Sequence, residues 1–227
     1  MLSRVFNLAI ELKNAETNPC SRIRKFKLDN ERYRYLLPEE VPLLLNVMEG
    51  KRAHLRPLVI VALGLGLRKR EQLNLRRGQV DFSRNVVIAT RTKGRTNREI
   101  LLDVLNPEMR EILKKAYHGK DAEDYVFTNP DTDKPFYDIK RSFHTACRIA
   151  GIKNIWWHDL RATFCTRLAL ACYEVLTIMS LMGHKELKTT MHYIRPVHLQ
   201  RDVRPIQFVH KLPTNEIRPP MMAAVNY

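Results

Sequence analysis

The chain has 227 residues, 39 Lys and Arg against 24 Asp and Glu, a formal net charge of +15, a pI near 9.9 and 44% hydrophobic residues. This composition excludes a disordered tail or a fibrous repeat and fits one large domain or two small ones. The charge excess asks for a polyanionic partner, nucleic acid or an anionic membrane surface, and is silent about fold.

Residues 2–13 place apolar side chains at Leu2, Phe6, Leu8, Ile10 and Leu12, which predicts a short amphipathic helix ending near Asn18-Pro19. Residues 21–35 are dense in charge and lack an apolar period, so they read as a solvated connector or as a linker that lies along a phosphate backbone. From Pro38, with Glu39 and Glu40 placed to complement a helix dipole, helices are expected over about 38–49, 53–65 and 69–75. The longest apolar stretch, Leu58 to Leu67, is too short to cross a bilayer. The amino terminus has acidic residues after its apolar stretch and no small-residue cleavage site, so export is not expected and a cytoplasmic location is.

Val80 to Leu102 changes period. Its β-rich runs are split by Ser83-Arg84-Asn85 and by Lys93-Gly94-Arg95-Thr96-Asn97, which predicts a small antiparallel meander. Helices follow near 107–117, 136–150, 159–171, 173–182 and 186–194. The tail from Pro196, with Pro205, Pro213, Pro219 and Pro220, is expected to be extended. The fold class is therefore mainly α with a small three-stranded antiparallel β-sheet. Cys20, Cys147, Cys165 and Cys172 form no CxxC pair and read as reduced thiols packed as small hydrophobes.

Charge is concentrated rather than spread: residues 68–98 hold ten Arg and Lys against two acids. The turn TRTKGRTNR between two strands is a basic probe for a phosphate backbone or a solvated hairpin. Within Trp157-His158-Asp159-Leu160-Arg161, a helix would put His158 and Arg161 on one face, where an imidazole and a guanidinium can meet one phosphate. Gly183 suits a helix end beside His184, and Tyr193 follows nine residues later. Taken singly, each of these has an ordinary structural reading.

Their joint order and spacing closely resemble the tyrosine recombinases, the phage integrase family, over about residues 34–193. The resemblance rests on Gly66-Leu67-Arg68-x-x-Glu71 ahead of the strand pair, Lys93-Gly94 at the hairpin, His158-x-x-Arg161, Gly183-His184 and Tyr193, with NLRRGQVDF and DLRATF agreeing between them. It implies that Arg68 and Arg161 grip the non-bridging oxygens of a scissile phosphate, that Glu71 braces Arg68, and that Tyr193 is the nucleophile. Lys93 would protonate the leaving 5′ oxygen, His158 would help take the tyrosine proton, and His184 would hydrogen-bond a phosphate oxygen. Lys69, Arg70, Arg91, Arg95 and Arg98 would hold flanking DNA.

The chemistry wants these residue types on its own account. A phosphodiester exchanged without net hydrolysis needs a covalent intermediate, and a tyrosine with an ordinary pKa near 10 needs a base or positive surroundings. Planar guanidinium forks bond two oxygens at once and keep their charge. No phosphate-binding GxxxxGK[ST] loop and no carboxylate cluster is present in the sequence, so neither metal nor nucleotide cofactor is expected.

The resemblance further implies a division into residues 1–34, matching the last helix and linker of a core-binding domain, a catalytic domain over 35–195, and a tail over 196–227 that exchanges between subunits. The rest of the core-binding domain is expected to be missing, which would impair the enzyme. The expected partner is double-stranded DNA, bound by a tetramer that is a monomer or weak oligomer when free, with no membrane. Ala171-Cys172 departs from the family by replacing a turn that usually contains glycine. Alternatives are a catalytically idle DNA-binding remnant that modulates an intact recombinase and, more weakly, a type IB topoisomerase.

Overall fold

A computed structural model describes residues 2–23, 34–91, 95–106, 109–117, 119 and 121–200, with backbone alone at 91, 95, 96, 117 and 195–200. Most of the expected linker over 21–35, the hairpin turn with Lys93 and Gly94, and the tail beyond 200 lie outside the described residues. The chain divides into two compact units, the second beginning at Arg34.

The first unit contains helix α1 (Leu2–Glu11) and a 3-10 turn over Pro19–Arg22. Asn18 organises it: its side-chain amide donates to Ser3 Oγ (3.1 Å) and Asn7 Oδ1 (2.5 Å), and its Oδ1 caps the turn by accepting from Cys20 N–H at 3.0 Å. Leu2, Val5, Leu8 and Leu12 are exposed.

The second unit is helical around one small sheet. Its elements are α2 (Glu40–Asn46), α3 (Leu55–Leu65), α4 (Lys69–Leu73), β1 (Val80–Asp81), β2 (Val86–Arg91), β3 (Arg95–Leu101), α5 (Met109–Tyr117), α6 (Lys140–Ile149), α7 (Trp157–Leu170), α8 (Val175–Met182) and α9 (Leu187–Gln200). The strands form an antiparallel meander in the order β1-β2-β3, with Val80 opposite Val87 and Val87 opposite Ile100. Among the described residues, no helix is long and apolar enough to cross a membrane.

Helices α3 and α7 are buried on nearly all sides, α7 with polar side chains among its buried residues, and they pack together as the centre of the unit. Leu58, Val61, Ala62 and Leu65 of α3 and Leu160, Phe164 and Leu168 of α7 are buried. At the ~25 cal/mol per Å² of apolar burial, each such leucine contributes on the order of 2 kcal/mol. Gly66 ends α3 in the left-handed conformation, φ 57°, and a Cβ there would stand 2.2 Å from Phe164 Cδ1. Backbone geometry and close approach thus both require glycine, and they set the direction in which the chain leaves toward Arg68.

Two expectations change. Helix α9 runs through Pro196 to Gln200 instead of stopping near 194, because a proline removes only its own N–H from the ladder and the flanking bonds can continue the helix. Of the four thiols, only Cys147 and Cys165 are buried, and Cys172 is exposed. Cys172 has φ 63°, in the left-handed region, at the turn where Ala171-Cys172 stands in place of a glycine. Its N–H and that of Tyr173 fold back onto Ala169 O and Leu168 O, both at 3.1 Å, closing α7.

Candidate active site

Four segments of the second unit converge on one place. The first is the start of α4, where Glu71 at the third helical position reaches back to accept the Arg68 backbone N–H at 2.9 Å, the carboxylate half of a capping box. The same carboxylate accepts from Arg68 Nη1 at 2.8 Å, which holds a guanidinium that is still 37% exposed.

The second is β3. Arg98 presents both Nη atoms to the two Glu71 oxygens, at 3.0 and 2.8 Å, a two-point fork. Its side chain is 9% exposed. Arg98 was expected to hold flanking DNA; its guanidinium instead turns inward and pairs with Glu71. The reason is the strand's period of two: Arg98 shares its face with buried Ile100, and its partner across the ladder is the small, buried Ala89.

The third segment is the first turn of α7, fixed by Asp159 Oδ2 accepting the Trp156 N–H at 2.7 Å. His158 and Arg161 leave this turn together. Arg161 is 2% exposed and donates from Nη1 to Gly66 O at 2.5 Å and from Nη2 to Met182 O. Burial, then the neighbouring charges of Arg68 and Arg98, bring its pKa down to about 9, which leaves it cationic near neutrality.

The fourth is the end of α8 and the helix after it. Gly183 closes α8 in the left-handed conformation, φ 60°, with its own N–H on Ser180 O (2.9 Å) and that of His184 on Met179 O (3.0 Å). The carbonyls of Leu181, Met182 and Gly183 then lie beyond the helical ladder. Each accepts from a different arginine: Leu181 O from Arg98 Nε at 2.9 Å, Met182 O from Arg161, and Gly183 O from Arg68 Nη2 at 3.3 Å. Three guanidinium groups from three elements therefore cap the negative end of one helix.

Tyr193 comes to this cluster on α9. Its hydroxyl is 2.9 Å from His158 Nε2, its ring stacks on His184 with centroids 5.7 Å apart at 18°, and His192 meets it edge-on. His184 Nδ1 lies 3.0 Å from the hydroxyl of fully buried Thr190. Burial raises the Tyr193 pKa above its ordinary value against the pull of Arg161 and Arg68, so the phenol is protonated near neutrality. The His158 pKa moves down, first because surrounding protein crowds a ring whose edge still reaches solvent, then because of Arg161. A neutral imidazole thus faces a protonated phenol, the arrangement in which the hydroxyl donates to Nε2.

Glu71 balances the cluster. Burial alone would raise its pKa, but the hydrogen bonds and charge of Arg98, joined by Arg68, bring it down to about 2. Of the remaining expected residues, Lys69 pairs with Asp138 at 2.8 Å, Arg70 is exposed, Arg91 and Arg95 are placed by backbone alone in β2 and β3, and Lys93 lies outside the described residues. Among the described residues no group of three or more His, Cys, Asp or Glu could hold a metal ion. Sequence reading missed the arginine cap on α8 and the Thr190 partner of His184. Strand alternation through Ile100 was the one available signal for the inward turn of Arg98.

A mostly helical unit with a small three-stranded antiparallel meander is the fold of tyrosine recombinase catalytic domains. The crystal structure of XerA recombinase superposes with a TM-score of 0.62 at 21% identity, covering 88% of this chain and 74% of that one. A λ integrase tetramer bound to a Holliday junction gives 0.65 at 20% identity, covering 85% and 56%. The phage integrase family model matches residues 34–199, and the chain belongs to that family. It is 30% identical over 190 residues to a tyrosine recombinase of Pseudothermotoga lettingae, which covers 82% of this chain but only 64% of that protein. It is 27% identical over 204 residues to the tyrosine recombinase XerA of Thermococcus kodakarensis, across 85% of this chain and 70% of that one.

Proposed function

We propose that this chain breaks and rejoins double-stranded DNA in site-specific recombination, with Tyr193 forming a 3′-phosphotyrosine intermediate and the catalytic unit lying within about residues 35–195. The observation that carries this reading is the Tyr193 hydroxyl, 2.9 Å from His158 Nε2 and beside a cluster of arginines.

In the proposed reaction the Tyr193 oxygen attacks the scissile phosphorus as its proton passes to His158. The P–O5′ bond breaks, and Lys93 protonates the leaving 5′ oxygen. The intermediate keeps one phosphoester bond in place of another, so rejoining needs no external energy. Negative charge grows on the non-bridging oxygens in the transition state, where Arg68 and Arg161 face it. A guanidinium has five N–H donors, and the bonds to carbonyls and Glu71 use two of those on Arg68, leaving three for a ligand. By analogy with arginine fingers, each arginine is worth on the order of 10³ in rate, roughly 4 kcal/mol of barrier. Lys69, Arg70, Arg91 and Arg95 hold flanking backbone, and assembly on DNA is as a tetramer, in line with the λ integrase neighbour in fold.

The test is incubation with a nicked duplex carrying a 5′-bridging phosphorothiolate at a suitable site, followed by a denaturing gel. A covalent protein–DNA adduct in the wild type that is lost in Tyr193→Phe is expected. Salt-sensitive DNA binding without an adduct would replace this reading with a DNA-binding protein that does no chemistry, and relaxation of supercoils without a target site would favour a topoisomerase.

A further inference from the structure

We infer that Arg98 is a positioning residue of this site: by taking both oxygens of Glu71 in a two-point fork, it keeps Glu71 from neutralising Arg68 and so preserves the Arg68 grip on phosphate. The inference rests on the proposed role of Arg68, and it assigns Arg98 a task distinct from holding DNA.

A carboxylate prefers to meet a guanidinium through two parallel bonds. Glu71 has two arginines in reach and gives the paired geometry to only one of them, the 9% exposed Arg98. Arg68 receives a single side-chain bond, Nη1 to Oε1, together with the backbone bond to Oε2. Glu71 and Arg98 thus form a neutral pair, and the positive charge left over resides on the more exposed Arg68. If Arg98 were absent, the buried carboxylate would turn its second oxygen to Arg68, because a desolvated charge pairs with the cation at hand. Arg68 would then be matched internally and its Nη2 bond to Gly183 O broken.

Arg98 also fixes distance. Its Nε donates to Leu181 O while its Nη atoms hold Glu71, so one planar group spans β3, α4 and the end of α8. Arg68 reaches the next-but-one carbonyl of the same turn, and Arg161 the one between. The spacing between the two phosphate-facing guanidinium groups is therefore set by consecutive carbonyls that Arg98 helps anchor.

The experiment compares wild type, Arg98→Ala and Arg98→Ala/Glu71→Ala in the full chain, each first shown to be folded by thermal unfolding. A crystal structure of Arg98→Ala is expected to show both Glu71 oxygens on the Arg68 guanidinium. Single-turnover adduct formation at saturating DNA should fall about 10- to 100-fold with duplex affinity changed less than about threefold, and the double variant should be faster than Arg98→Ala. A purely structural role predicts the reverse order, since two lost contacts destabilise more than one. The inference is overturned if Glu71 and Arg68 keep their positions in the Arg98→Ala crystal, or if the double variant is the slower. If Arg98→Ala does not fold, Arg98→Gln, which keeps donors but removes the charge, is held to the same outcomes. If the wild type gives no adduct, the recombinase reading fails, and the positioning claim stands or falls on the crystal structure alone.

Discussion

His184 Nε2 stands 3.3 Å from Arg161 Nη2, and because a guanidinium has no acceptor, the imidazole accepts there. Its proton is thereby assigned to Nδ1, 3.0 Å from Thr190 Oγ1. Arg161 thus fixes the tautomer, and Thr190, by accepting from Nδ1, holds the ring of a histidine that also stacks on Tyr193.

Replacing Thr190 by valine keeps the shape and removes the hydroxyl. Loss of one buried hydrogen bond of about 1 kcal/mol leaves the His184 ring angle less defined. Single-turnover cleavage is expected to slow about fivefold to tenfold, with the melting temperature lowered by only a few degrees. An unchanged cleavage rate would exclude this role for Thr190.

The pH dependence of cleavage follows from His158 and Tyr193. The His158 pKa is lowered, so the neutral base form persists into mild acid, and the rate is expected to fall only as pH drops below the ordinary histidine value of 6.5. Tyr193 titrates above its ordinary value of 10.0, so no rise from spontaneous phenolate is expected between neutrality and pH 10. A rate profile measured with bridging phosphorothiolate DNA, which removes the demand for a leaving-group acid, checks this, and an acid midpoint above 6.5 would contradict it.

Glu71 makes stability depend on pH. Its carboxyl titrates near 2 in the folded chain against 4.5 for an ordinary glutamate, so its stabilisation is present above about 4.5 and is lost as pH falls toward 2. At about 1.4 kcal/mol per unit the full effect is at most about 3 kcal/mol. Urea unfolding of wild type and Glu71→Gln should show a gap at pH 7 that narrows by pH 3.

Cys172 offers a stabilising change. It holds φ 63° as an exposed residue closing α7, a conformation that costs a side-chain-bearing residue about 1 kcal/mol and glycine almost nothing. Cys172→Gly should raise unfolding stability by about 0.5–1 kcal/mol without altering adduct formation, measured by the urea midpoint and a cleavage assay.

Local periodicity made the placement of several site residues legible, while their reading as one site came from the resemblance to the phage integrase family. His158 and Arg161 share a face by helical spacing, Gly183 ends a helix, and Glu71 lies one turn from Arg68. The strand pair announced itself through its β-branched runs and turn residues. The arginine cap on α8 was not legible, because its acceptors are backbone carbonyls, which every residue carries, and it joins positions as distant as Arg98 and Leu181. Counting Arg98 among surface cations followed from reading charge without the alternation that buries Ile100 beside it. The continuation of α9 through Pro196 shows the limit of treating proline as a terminator when the surrounding ladder can spare one bond.

One carboxylate among three guanidinium groups leaves the cluster with two uncompensated positive charges, and the Arg161 pKa is lowered first by burial and then by that crowding. Folding brings like charges together here, so any bound polyanion relieves a repulsion that the folded chain otherwise bears. By mass action, a ligand present at 100 times its dissociation constant adds about 2.7 kcal/mol to stability. On the proposed reading, DNA is a conditional chaperone as well as a substrate. Copies engaged on DNA would resist cellular proteases longer than idle ones, and the pool of enzyme would contract toward its occupied sites.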